Sequence, residues 1–189
     1  MTVKKYSIIY ADPPWQYGDK MKMQGVHGPI NGAESFYPTM SIGEIKKLPV
    51  QDIAQENCVL FLWATMPLLQ EALDTIKAWG FTYKTCGFTW VKKTKHNKIH
   101  CGMGHYTRGN AELCLIGVKG KMKRINNSVY QIVEAELRRH SQKPNEVRKR
   151  IETLYGDVPR VELFAREKAP GWDCWGNEVE SDFTLKTNP

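Results

Sequence analysis

Three observations predict a three-layer α/β domain with a mainly parallel sheet. Short apolar runs rich in β-branched and aromatic residues recur along the chain, segments of helical periodicity stand between several of them, and Gly and Pro punctuate the joins. Ser7 to Ala11 (SIIYA) has the composition of a buried strand. It is ended by Pro13 and Pro14, which have no amide to donate. Residues 16–40 hold glycines, prolines and polar residues without a sustained period, and are expected to form a long mobile loop. Ser41 with Glu44 three places on is a capping box for a short helix.

Cys58 to Ala64 (CVLFLWA) is apolar throughout, as a strand covered on both faces must be. Pro67 opens a helix whose apolar positions Leu68, Ala72, Ile76 and Trp79 fall on one face, and Gly80 stops it. Phe81 to Val91, Glu112 to Val118 and Tyr130 to Glu136 read as further strands. Residues 92–110, basic and Gly-rich, form the second expected mobile loop. Asn145 to Leu154 is a charged helix ending near Gly156, and Arg160 to Ala165 is the last strand. Internal repeats, low-complexity tracts and linkers are absent from the sequence, so residues 1–189 are expected to make one domain.

Composition narrows the class. With 41% hydrophobic and 25% charged residues, the chain is neither disordered nor fibrous. No apolar run reaches the roughly 18 residues that span a bilayer, and the start lacks the features of a signal peptide, so a cytoplasmic location without membrane attachment is expected. Five scattered cysteines with no C-x-x-C pair fit a reducing compartment. His96, His100, Cys101 and His105 have ligand-like spacing, but Lys92, Lys93, Lys95 and Lys98 beside them repel a cation, and no metal site is expected.

The net charge of +7 is unevenly placed. Residues 92–150 carry 15 Lys and Arg against 4 acidic residues, a net of +11, so the rest of the chain carries −4. Such concentration suits phosphate neutralisation, although a solvated basic face has the same composition.

The most specific signal is Asp12-Pro13-Pro14-Trp15 at the end of the first strand, because the carboxyl ends of parallel strands are where open α/β sheets hold ligands. Asp12 offers a carboxylate, Pro13 a carbonyl aimed by rigid rings, and Trp15 an aromatic surface. An amino group on a flat base would find two acceptors and a stacking face there. Its nitrogen is a poor nucleophile because the lone pair is delocalised into the ring. Hydrogen bonds from both protons to Asp12 and the Pro13 carbonyl favour a more pyramidal nitrogen that can face an electrophile, and the leaving group must then come from a cofactor.

IIYADPPW, FYPTMS, LFLWAT, ELCLIGVKG, HSQKP, VELFAR and GNE, in that order through nearly the whole chain, resemble the catalytic subunit of the messenger-RNA N6-adenosine methyltransferase and its bacterial and phage DNA adenine relatives. The resemblance implies a Rossmann-like fold, S-adenosylmethionine as cofactor, and methylation of the N6 amino group of adenine. By position, Asp12, Pro13, Pro14 and Trp15 would hold the target adenine and Tyr37 would gate or contact it. Lys143, Phe164, Arg166, Asn177 and Glu178 would line the cofactor pocket, and Lys92, Lys93, Arg108 and Glu112 are expected on the substrate side. Lys95 and Lys98 would join Lys92, Lys93 and Arg108 in tracking a phosphate backbone.

Two departures from the family pattern stand out. VELFAR replaces a glycine-rich E-x-G-x-G block, and only 11 residues precede Asp12, so the acidic segment that meets the cofactor's adenine in eukaryotic relatives is expected to be replaced by another residue. With no added recognition domain, sequence choice would fall to the two long loops, and the target base would be flipped out or already unpaired. Compactness favours DNA as the partner, with RNA the alternative, and a monomer or homodimer is expected. A catalytically silent nucleic-acid-binding subunit is the reading of another class. The intact DPPW argues against it.

Overall fold

Six consecutive buried residues make β1 (Tyr6–Ala11) an interior strand of a seven-stranded sheet. The computed structural model describes residues 4–16, 23–25, 28–30, 39–102, 104, 106–138 and 142–185, with the backbone alone at 23–25 and 28–30. Tyr37 and His105 lie outside the described residues. The other strands of the sheet are β4 (Ala54–Ala64), β5 (Thr82–Lys93), β6 (Ala111–Lys119), β7 (Ile132–Glu136), β8 (Arg160–Leu163) and β9 (Asp173–Trp175), in the order β7-β5-β6-β4-β1-β8-β9. β1 pairs in parallel with β4 and β8, β8 with β9, and β5 with β7; β6 runs antiparallel to both β4 and β5. The sheet is therefore mainly parallel, and the fold is that of a Rossmann-like methyltransferase.

Period-two alternation divides the core. Cys58, Leu60 and Leu62 of β4 face one layer, built from α1 (Ile42–Lys47), α2 (Val50–Ile53) and α3 (Leu69–Ala78). Val59, Phe61 and Trp63 face the other, where α4 (Glu146–Tyr155) contributes Val147 and Ile151. The capping box forms in both directions, Ser41 accepting from the Glu44 amide and Glu44 accepting from the Ser41 amide. A 3₁₀ turn at Met66–Leu68, with Pro67 inside it, precedes α3, and Gly80 at φ 81° ends that helix in a conformation that favours glycine.

Three features differ from the sequence reading. A short antiparallel pair, β2 (Met23–Gly25) and β3 (Gly28–Ile30), stands inside the first long loop, where three-residue strands leave no readable period. Helices do not separate β5, β6 and β7; periodicity marks a strand but not its direction, so the reversal at β6 was not legible. β9, again three residues, was missed, although the chain returns to cover its edge with the Asp182 amide donating to the Cys174 carbonyl at 2.9 Å. Among the described residues, no helix is long and apolar enough to cross a membrane.

Candidate active site

Register brings chemistry-bearing residues to one edge. Ala11, the last residue of β1, lies beside Leu62 of β4 and Leu163 of β8, so Asp12 emerges at the carboxyl ends of the parallel strands. From β1 the chain leads to β4 on one side and β8 on the other, which makes this the switch point where such sheets bind ligands. Because β6 is antiparallel, its first residues, including Glu112, return to the same edge.

Lys143, just ahead of α4, ties these groups together. Its ammonium lies 2.8 Å from both Asp12 carboxylate oxygens and 3.2 Å from Glu112 Oε2, and passes 5.4 Å above the Trp63 ring. Lys92, near the end of β5, holds Glu112 Oε1 at 2.6 Å and sits 5.3 Å over Trp90. Two carboxylates and two ammonium groups thus alternate across a floor of buried tryptophans. The side chains of Asp12, Glu112 and Lys143 are only 18%, 14% and 10% exposed, so these charges act on one another with little screening.

The protonation balance follows. Burial raises the Asp12 carboxyl above its ordinary range, with Lys143 pulling it back in part. Burial also pushes Glu112 up, but Lys143 and Lys92 outweigh it and leave Glu112 below its ordinary value. Burial works against the Lys143 ammonium, yet Asp12 and Glu112 together hold it firmly protonated. The same surroundings thus shift the two carboxyls in opposite directions, Asp12 up and Glu112 down.

Next to Asp12 a cleft of about 320 Å³, counted with its open mouth, is lined by Tyr10, Gln142, Lys143, Arg148, Glu162, Phe164, Arg166 and Glu167. Arg148 of α4 bridges Glu162 and Glu167 at 2.6 Å each, and Gln142 donates to Glu167 at 2.9 Å. Phe164, the residue after β8, takes φ 61°, a strained choice for an aromatic residue, and packs against Trp175 at 5.3 Å. Gly176 is required just beyond β9, because a Cβ there would stand 2.3 Å from the Ala165 carbonyl oxygen. Arg166 pairs with Glu178 at 2.7 Å, and Asn177 is exposed beside that pair in sequence.

Several expected site residues sit otherwise than the sequence suggested. Trp15 is buried, 4% exposed, and donates its indole N–H to the Trp63 carbonyl at 3.1 Å; its face packs in the core and is not offered for stacking. The Pro13 carbonyl accepts the Trp15 amide at 2.8 Å, which leaves one lone pair for another donor. Lys92 and Lys93 belong to β5 and not to the loop, and each is paired, Lys93 with Glu134 of β7 at 3.0 Å. Arg108, like Lys95 and Lys98, is exposed. Sequence reasoning missed Trp63, Trp90, Arg148, Glu162 and Glu167. Glu162 carried a signal, a charge inside an otherwise apolar strand, whereas Arg148 among the many charges of α4 carried none.

The MT-A70 family pattern matches residues 6–178. The chain belongs to the MT-A70 family. Its members are S-adenosylmethionine-dependent N6-adenine methyltransferases. Among relatives, Type II methyltransferase M.MunI of Mycoplasma sp is 36% identical over 93% of this chain and 78% of its own length. The N(6)-adenosine-methyltransferase MT-A70-like protein of Drosophila melanogaster is 31% identical, and the N(6)-adenosine-methyltransferase catalytic subunit METTL3 of Homo sapiens is 29% identical, each over 93% of this chain. The chain spans 27% and 28% of the lengths of those two proteins.

The cleft has the donor set that the family's cofactor needs. S-adenosylmethionine carries an ammonium, a carboxylate, a sulfonium, ribose hydroxyls and a flat base, and this cleft presents carboxylates and cations in alternation with the Phe164 ring at its wall.

Proposed function

We propose that this protein transfers a methyl group from S-adenosylmethionine to the N6 amino group of adenine in DNA. The observation that carries the reading is the Asp12 carboxylate, held at the carboxyl end of β1 by Lys143 and raised in basicity by burial, beside a cleft suited to the cofactor.

When bound, S-adenosylmethionine supplies a methyl group on a sulfonium, whose leaving group is a neutral thioether. The chain's own residues do the rest by orientation. Asp12 accepts one amino N–H of the adenine and the remaining lone pair of the Pro13 carbonyl accepts the other, which turns the nitrogen lone pair toward the methyl group. Adenine approaches as Lys143 passes from Asp12 to Glu112, a carboxylate already within 3.2 Å, so the ammonium is never left buried without a partner. Lys92 keeps Glu112 in place for that exchange. After transfer the nitrogen sheds a proton, and Asp12, which already accepts an N–H of that amino group and whose basicity burial raises, takes it. Phe164, Arg166 and Lys143 would hold the cofactor, with Asn177 and Glu178 at the rim, and Tyr37, by the family resemblance, would gate or contact the base. Lys95, Lys98 and Arg108, exposed on the loop that leaves this same edge, would meet phosphates.

DNA is favoured by the 36% identical Type II methyltransferase, most of whose length this chain covers. RNA is the second reading, favoured by the adenosine methyltransferases at 29–31% identity. Competition between single-stranded DNA, duplex DNA and RNA of one sequence for tritiated methyl from S-adenosylmethionine tests the choice. DNA is expected to take the label; preferential labelling of RNA would transfer the reading to the second.

A further inference from the structure

The opposite edge of the sheet carries a second basic surface. Lys119 ends β6 beside Cys58, at the start of the buried half of β4, and Lys121, Lys123 and Arg124 follow on the loop toward β7. No acidic residue lies between Glu112 and Glu134, and among the described residues none of these four cations pairs with a carboxylate. The loop is pinned at both ends, the Lys121 amide donating to Asn57 Oδ1 at 2.6 Å and the Ile125 amide to the Leu154 carbonyl at 2.8 Å. On the same connection Ile125 is 73% exposed, and Tyr130, just ahead of β7, is 83% exposed. Arg124 donates to Asn127 Oδ1 at 2.6 Å and Lys119 to the Gln51 carbonyl at 3.5 Å, so among the described residues the four cations meet neutral groups alone. Such cations on a pinned loop, with an exposed aromatic ring on the same connection, suit a polyanion whose bases can stack.

From Glu112 to Lys119 β6 advances seven residues, about 24 Å at roughly 3.4 Å per residue. That separation is too long for the patch to hold the target nucleotide; it equals about seven base-pair steps of a duplex at roughly 3.4 Å each, and fewer nucleotides of an extended single strand. Resting on the proposed methyl transfer to a nucleic acid, we infer that Lys119, Lys121, Lys123 and Arg124 form a second anchoring surface for the phosphate backbone. It would engage the substrate strand several nucleotides from the target adenine, past Tyr130 on the flank of β7. Substrate length, and not only sequence, then sets affinity.

The test compares oligonucleotides with the target adenine flanked by 3 or by 14 nucleotides on each side, using wild type and a Lys121→Gln, Lys123→Gln, Arg124→Gln variant. Affinity is read by fluorescence anisotropy at several salt concentrations without cofactor, and KM and kcat in the methyl-transfer assay. For the long substrate the variant is expected to show weaker binding, a raised KM and a salt slope reduced by about 2 to 3, at roughly 0.7 to 0.9 per lost contact. On the short substrate, kcat, KM and affinity should match wild type. Equal long-substrate affinity and slope in the two proteins would overturn the inference, as would an equal loss on short and long substrates. The binding arm stands without turnover, so failure of the methyl-transfer reading and failure of the anchoring surface give different results. Tyr130→Ala is a second variant, expected to weaken the long single strand about fivefold or more through lost stacking.

Discussion

The two edges of the sheet hold similar cations in opposite circumstances. At the carboxyl edge Lys92, Lys93, Lys143, Arg148 and Arg166 each face a carboxylate at 2.6 to 3.2 Å. At the other edge Lys119, Lys121, Lys123 and Arg124 face none among the described residues. A charge count treats the two groups alike. Their physics differs: paired and partly buried cations fix the protonation and position of Asp12 and Glu112, whereas Lys121, Lys123 and Arg124, exposed and without a carboxylate partner among the described residues, remain available to phosphates and to salt. Even the Arg138–Arg150 segment, basic in sequence, is mostly committed. Arg138 and Arg148 reach Glu167, and Arg150 donates to the Tyr130 and Ile132 carbonyls at 2.7 Å each.

The largest effect should come from breaking the paired edge at its centre. Asp12→Ala is expected to lower kcat at least about a hundredfold by removing an acceptor for the attacking amine. Nucleic-acid affinity, read by anisotropy, should stay near wild type. Lys143→Met comes next, because it leaves Asp12 and Glu112 buried without the cation between them. Its cost in chemical denaturation should be on the order of 3 kcal/mol, and calorimetry should show weaker cofactor binding.

The pH dependence sharpens the comparison further. Asp12 has a raised pKa in the folded protein, so its ionisation costs stability, and that stability is lost as pH rises through its folded value. Glu112 has a lowered pKa, so its contribution is complete above the ordinary glutamate range and is lost as pH falls through its folded value. Activity needs Asp12 ionised, so the acid limb of kcat/KM should lie above the ordinary aspartate value of about 3.9. Glu112→Gln removes a like charge from Asp12 and gives it Lys143 undivided. The limb should move to lower pH, and a limb that stays in place would contradict the coupling.

Smaller effects follow at Trp15 and at the exposed loop. Trp15→Phe keeps a ring in the core and removes the hydrogen bond to the Trp63 carbonyl, so unfolding should cost about 1 kcal/mol less while KM for nucleic acid is unchanged. A stacking role for Trp15 predicts the reverse, a raised KM with stability intact. Replacing Lys95, Lys98 and Arg108 by Gln should weaken binding to all sequences alike and flatten the salt slope, with cofactor affinity unaffected.

Much of the sheet was legible because buried strands are apolar on both faces, as Cys58 to Ala64 shows, and because Ser41 and Glu44 cap a helix by local chemistry alone. Three-residue strands such as β9 were not, since two or three side chains establish no period. The order of the motifs was legible, and so was the position of Asp12 at a strand end. The partners of Lys92, Lys93 and Lys143 were not, because pairing depends on strand direction. Only the antiparallel run of β6 returns Glu112 to the edge where Lys143 meets Asp12. Trp15 illustrates the same limit, an aromatic residue in a reactive motif whose role in this structure is to hold the motif down.

The most direct test of the central claim is product analysis by nucleoside mass spectrometry after incubating adenine-containing DNA with S-adenosylmethionine, for wild type and folded Asp12→Ala protein side by side. The account predicts N6-methyladenine with wild type and at least about a hundredfold less with the variant. Methyl transfer at an undiminished rate by Asp12→Ala, or a methyl group found on any atom other than adenine N6, would contradict it.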